Sequence, residues 1–217
     1  DPQGNSTSAF GIEKNTLKRT VYDLIMGDCA PDDVVITTEH KGLHIIPSNI
    51  DLAAAEVDLV TMPKREYVLK NAVAPLVNLY DYIFIDCPPS LGLITLNALT
   101  ACDSVLIPIQ SEFFALEGLS QLMNTIKIVK QRLNPDIQIN GVVLTMYDNR
   151  SVMSRQVTEE IQKYFGNKVY DIPVPRNIKL VEAPSFGVPV STHAPHSSGA
   201  IAYEMLAKEF VDREEKG

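Results

Sequence analysis

The stretch Tyr82-Ile83-Phe84-Ile85-Asp86, halted at once by Cys87-Pro88-Pro89-Ser90, constrains the fold more than any other part of the chain. A short apolar run ending in a lone carboxylate at a Pro-Pro break reads as a buried parallel strand. The break sets Asp86 at the strand's carboxyl end, where open α/β sheets bind ligands. A carboxylate there can hold Mg²⁺ beside the phosphates of a nucleotide. The same residue also reads as a solvated strand end, and Asp86 alone does not decide between the two.

The rest of the chain alternates in the same style. Leu17, Val21, Leu24 and Ile25 share one helical face over residues 16–26, and residues 43–46 read as a strand stopped by Pro47. Residues 52–60 and 65–79 read as helices separated at Pro63, the second kinked at Pro75. Ser90 can cap a helix running to about Ala101. Residues 104–109 and 137–145 are apolar strands, with a shorter one at 169–172. Leu119, Leu122, Met123, Ile126, Val129 and Leu133 mark a long amphipathic helix stopped by Asn134-Pro135. Further helices are predicted over residues 151–165, closed by Gly166, and 198–214. Apolar strands separated by helices predict an α/β fold, a mostly parallel sheet with helices on both faces. No linker divides the 217 residues, which read as one domain.

Composition narrows the chemistry. Cys29, Cys87 and Cys102 are odd in number and lack CxxC spacing, which argues against a disulfide framework or zinc site and suits a reducing cytoplasm. His40/His44 and His193-Ala-Pro-His196 resemble metal spacings, but Pro195 breaks the second and neither has a clustered carboxylate or Cys. No apolar run is long enough to span a membrane. The net charge of −8 argues against a general polyanion binder. The charge is uneven, however. Residues 140–180 hold six basic against four acidic side chains, net +2, while residues 1–139 are net −7 and residues 181–217 net −3. A sheet that ends in a Mg²⁺ carboxylate calls for a phosphate-cradling Gly-Lys-Ser/Thr turn, and no Gly-Lys dipeptide occurs.

Four motifs now stand in order: Asp1-Pro2-Gln3-Gly4-Asn5; Ile85-Asp86-Cys87-Pro88-Pro89-Ser90-Leu91-Gly92; Phe114-Ala115-Leu116-Glu117-Gly118-Leu119; and Pro175-Arg176-Asn177 through Glu182-Ala183-Pro184-Ser185. In this the chain resembles the ParA/Soj partitioning ATPases, of the deviant Walker A class of P-loop ATPases, from Asp1 to about Phe210. The resemblance implies ATP and Mg²⁺ as cofactors, with Asp86 holding Mg²⁺ through water. It implies that Asp1 is the switch carboxylate that orients the attacking water, since in-line phosphoryl transfer needs an oriented water more than a strong base. Pro175, Arg176 and Asn177 would lie along the adenine, and Glu117-Gly118 near the face where two nucleotide-bound subunits meet. Arg150 and Lys179, both within the basic stretch, match positions that bind double-stranded DNA nonspecifically. Lys179 stands where Arg is frequent, which keeps the charge but gives up bidentate phosphate contact.

The implied partners are a second copy in an ATP-dependent dimer, a ParB-type centromere-binding protein, and nucleoid DNA in the cytoplasm. In the family the P-loop precedes the position of Asp1, so the chain reads as an N-terminally truncated piece. By itself it is expected to be inactive, to expose apolar faces, and to leave Asp1 frayed. Alternatives are a MinD-like division regulator, disfavoured by the acidic Val211-to-Gly217 tail, and a P-loop-less binding module. An iron–sulfur reductase of the same superfamily would need paired cluster cysteines, which Cys87 and Cys102 do not supply.

Overall fold

The structure, a computed structural model of the 217-residue chain, describes residues 1–112 and 115–216. They form two compact units: Asp1–Asp103 with Thr125–Ile137, and Ser104–Asn124 with Gln138–Gly217.

The first unit opens on a short helix α1 (Asn5–Ala9), followed by α2 (Val21–Met26). Thr20 and Asp23 start α2 as a reciprocal cap: Tyr22 N–H donates to Thr20 Oγ1 and Thr20 N–H to Asp23 Oδ2, at 3.2 and 2.8 Å. The strand expected at residues 43–46 is β2 (His44–Ile45), paired antiparallel with β1 (Ile36–Thr37) rather than joining a parallel sheet. The helix expected at residues 52–60 is a run of tight turns about α3 (Ala55–Asp58), with 3₁₀ turns at Ile50–Ala54 and Leu59–Thr61. Its spacing still puts Leu52, Ala55 and Leu59 on one face, where they pack with Ile25 as the core of this unit. Next comes α4 (Val68–Val73), which tightens to a 3₁₀ turn at Ala74–Leu76, where Pro75 removes a backbone donor. Buried Asn97 on α5 (Leu93–Ala101) then ties the helices together. It accepts from Leu69 N–H at 3.1 Å and donates to the Arg65 carbonyl at 2.8 Å.

One expectation fails here. Residues 82–88 form no strand, and Phe84 is 71% exposed, with Tyr82 and Ile83 above 40%. Apolarity marks a segment suited to a sheet interior; it does not supply the neighbouring backbone that a ladder needs.

The second unit is built on β3 (Ser104–Gln110) and β4 (Gln138–Thr145), paired in parallel from Ser104↔Gln138 to Gln110↔Thr145. Both strands are apolar runs, and Ile107, Ile109, Val142, Val143 and Leu144 are buried, as a sheet covered on its faces requires. Residues 169–175 continue along β4 through parallel bridges at Val142↔Val169 and Tyr147↔Pro175. The amphipathic helix α6 (Ala115–Arg132) contributes residues to both units. Ser151 caps α7 (Val152–Phe165), whose Val157, Ile161 and Phe165 turn inward. Then come α8 (Ile178–Ser185), α9 (Val190–His193) and α10 (Ser198–Lys216). Val143, Tyr170, Val174 and Leu206 form this unit's core. Among the described residues no helix is long and apolar enough to cross a membrane.

Candidate functional site

Asp1 and Asp86 meet although 85 residues separate them. The Asp1 amino nitrogen donates to the Asp86 carbonyl oxygen at 3.1 Å, and Ser6 Oγ donates to Asp86 Oδ2 at 2.5 Å. Asp1 is therefore held, not frayed. Its Oδ1 accepts from Gln3 N–H at 3.1 Å and its Oδ2 from Asn5 Nδ2 at 3.2 Å. Its carbonyl accepts from Ser48 Oγ at 2.7 Å. Buried Thr7 fastens the same corner, donating to the Ser48 carbonyl and accepting Ser48 N–H at 3.1 and 2.8 Å. Gly4 makes the turn possible. Its φ is +60°, and a Cβ there would lie 2.3 Å from the Ser48 carbonyl oxygen. The Asp86 carboxylate and the Ser6 hydroxyl bonded to it are hard oxygen groups, the chemistry that suits Mg²⁺.

The residue that sequence reasoning missed is Glu56. Ser90 does not cap α5; the Glu56 carboxylate does, taking Leu93 N–H at 2.8 Å and Ile94 N–H at 3.1 Å. A carboxylate on the first free N–H groups of a helix also meets the positive end of the helix dipole. Gly92 leaves room for it, because a Cβ there would sit 2.3 Å from Glu56 Oε1. Nothing in the local sequence announces a cap that arrives from 37 residues away.

In the second unit the Pro175-Arg176-Asn177 segment is pinned to the end of β4. Tyr147 N–H donates to the Val174 carbonyl at 3.1 Å, and Arg176 N–H to the Tyr147 carbonyl at 3.4 Å. Asn177 uses Oδ1 to cap α8 at Lys179 N–H, 2.8 Å, and donates Nδ2 to Ser198 Oγ at 2.7 Å. Pro175 and Arg176 line an open cleft of about 620 Å³ together with Tyr147, Asp148, Arg150 and Ser198, against apolar Ile172, Ile201 and Met205. The fold thus brings Arg150 to the same cleft as Pro175 and Arg176, to which the family resemblance assigns a different task.

Arg150 and Lys179 are both paired locally. Arg150 Nε donates to Asp148 Oδ1 at 3.2 Å, and its guanidinium and N–H hold the Asp148 carboxyl below the usual range. Lys179 Nζ donates to Glu182 Oε2 at 2.7 Å; the same oxygen lies 3.3 Å from His193 Nε2, whose ring stacks on Phe186. These contacts, Lys179 first, hold the Glu182 carboxyl below its ordinary value. Glu117 stands in the first turn of α6, whereas Phe114 of that motif lies outside the described residues.

An α/β core with parallel strands and flanking helices is the architecture of P-loop nucleotide-binding proteins, and residues 1–139 match the AAA domain family. The chain is 52% identical to the sporulation initiation inhibitor protein Soj of Bacillus subtilis (strain 168) over 211 residues, 97% of this chain and 83% of that protein. It is 48% identical to the chromosome partitioning protein ParA of Myxococcus xanthus (strain DK1622), over 99% of this chain and 76% of that one. Cobyrinic acid a,c-diamide synthase of Mycobacterium smegmatis, solved with bound ADP and magnesium, matches it with a TM-score of 0.82 and 38% identity, over 96% of this chain and 77% of that one. The chain belongs to the ParA/Soj family of partitioning ATPases.

Proposed function

We propose that these residues carry the catalytic carboxylates of an ATP-dependent DNA-segregation ATPase, a single ATPase domain over residues 1–217. The observation that supports this best is the tether of Asp1 and Ser6 to Asp86, which brings the start of the chain to the carboxylate-bearing residue of a motif 80 and more residues away. In this reading Asp86 would hold Mg²⁺, and the Asp1 carboxylate, steadied by Gln3 N–H and Asn5, would orient the attacking water. Magnesium supplies charge neutralisation at the phosphates. The Pro175 ring would pack on the adenine while the Asn177 cap fixes the direction of the loop. Arg150 and Lys179 meet duplex phosphates without reading bases. The protein works as an ATP-dependent dimer on nucleoid DNA in the cytoplasm, with a ParB-type partner stimulating hydrolysis.

No Gly-Lys-Ser/Thr turn occurs among these 217 residues to hold the phosphates, so the polypeptide by itself should bind Mg-ATP weakly. Isothermal titration tests that; micromolar binding would contradict it. In a chain extended ahead of Asp1 by a Gly-Lys-Thr-containing segment, Asp1→Ala should keep binding and lower turnover about 100-fold or more. Asp86→Ala should in addition weaken the Mg²⁺ dependence of binding. Turnover of Asp1→Ala at the parent rate would refute the assignment.

A further inference from the structure

The segment 169–175 is followed on one side by β4, and on its other side no strand runs among the described residues. A bare edge of this kind offers backbone donors and acceptors to any extended chain. The register toward β4 is broken: Tyr170 N–H meets the Val142 carbonyl and Val174 N–H the Leu144 carbonyl, so the segment carries two more residues than β4 between these bonds. Such a bulge twists an edge away from ideal pairing. Pro173 and Pro175 have no N–H to offer.

The Asp171 N–H and the Val169 carbonyl on the outer edge are taken by two side chains one turn apart on α10. Glu209 accepts the Asp171 N–H on both carboxylate oxygens, at 3.1 and 3.2 Å. Arg213 donates to the Val169 carbonyl at 2.9 Å and to the Asn167 carbonyl at 3.2 Å. Each holds the other in place, with Arg213 Nη2 donating to Glu209 Oε1 at 2.6 Å and their side chains only 25% and 17% exposed. The guanidinium also lies 4.0 Å over the Tyr170 ring. The Tyr170 hydroxyl donates to Asn140, which donates to Glu214 and so fastens the next turn of α10.

An acceptor and a donor in alternation are what a neighbouring strand would present. We propose that the Glu209–Arg213 pair serves as a surrogate strand, closing the outer edge of residues 169–175 to strand addition by a second copy of this chain. The Asp171 N–H is the donor the prolines leave behind, and Glu209 is the group that removes it from reach. This inference concerns the nucleotide-free chain and does not rest on the proposed function.

The test is sedimentation velocity of the full chain over a concentration series without nucleotide, alongside hydrogen exchange at the Asp171 amide. Glu209→Ala should speed that exchange by about tenfold or more, the equivalent of one lost hydrogen bond. It should also make the mean mass rise with concentration. Glu209→Gln, which keeps an acceptor but loses the charge, should sediment as the parent does. The proposal is overturned if Glu209→Ala exchanges faster yet keeps the parent's mass, if its exchange is unchanged, or if Glu209→Gln associates equally. Should Glu209→Ala fail to fold, Glu209→Asp, one methylene short of the amide, carries the same two readouts.

Discussion

The carboxylates of the first unit's site and the cations assigned to DNA in the second unit are held in opposite ways. In the first, carboxylates are placed from afar: Asp86 by Asp1 and Ser6, 85 and 80 residues away, and the start of α5 by Glu56 from 37 residues away. In the second, the two cations assigned to DNA are held by neighbours, Arg150 by Asp148 two residues before it and Lys179 by Glu182 three residues after it. Long-range placement fixes geometry, as water positioning and metal binding demand. A local, exposed ion pair costs little to open and re-form on a phosphate, because such pairs contribute about 0–1 kcal/mol. The Arg150 side chain is 88% exposed, in keeping with a group free to exchange partners.

Three experiments would break or sharpen that contrast. The largest effect is expected at Gly92. Gly92→Ala places a methyl where the Glu56 carboxylate lies and should destabilise the chain by about 2 kcal/mol or more, overpacking added to a lost cap. Glu56→Ala alone should cost about 1–2 kcal/mol. Denaturant midpoints of both variants decide, and parent-like midpoints would show that the long-range cap is dispensable.

Next come the cations. In an ATP-bound dimer of the extended chain, Arg150→Glu or Lys179→Glu should weaken binding to random-sequence duplexes. Each lost phosphate contact should flatten the slope of log K against log salt by about 0.9. Basal ATPase should be unchanged for Lys179→Glu. If both variants keep the parent's affinity and slope, the basic stretch is a solvated face and the local pairs are all that these side chains make.

The smallest effect is a pH dependence. Glu182 has a folded-state pKa below its ordinary value of 4.5, chiefly through the Lys179 hydrogen bond and then His193. The stability this contributes is therefore present above pH 4.5 and is lost as pH falls through the depressed folded value. Glu182→Gln should lose that contribution at neutral pH and show a flatter acid limb in the same window. Parallel acid limbs for parent and variant would mean that the triad with Lys179 and His193 has no energetic weight.

Much of the second unit was legible in the residues themselves. The strands expected at 104–109 and 137–145 are β3 and β4, and the helices expected at 151–165 and 198–214 are α7 and α10 within two residues at each end. Each carries its own period, and the cap at Ser151 and the closing Gly166 lie beside the element they bound. The first unit departs further from its local patterns. Residues 52–60 broke into 3₁₀ and α turns, residues 43–46 paired antiparallel, and residues 82–86 formed no strand.

By itself the sequence determined the α/β class, the family through four ordered motifs, and the basic character of residues 140–180, because periodicity, motif order and charge are properties of neighbouring residues. Only the tertiary structure decided that Asp1 docks on Asp86, that Glu56 rather than Ser90 caps α5, that Arg150 shares a cleft with Pro175, and that Glu209 and Arg213 cover an edge. The reason is physical. A backbone N–H or carboxylate is satisfied by whichever group the folded chain brings within about 3 Å, and that choice is made across tens of residues by packing, where no local pattern records it.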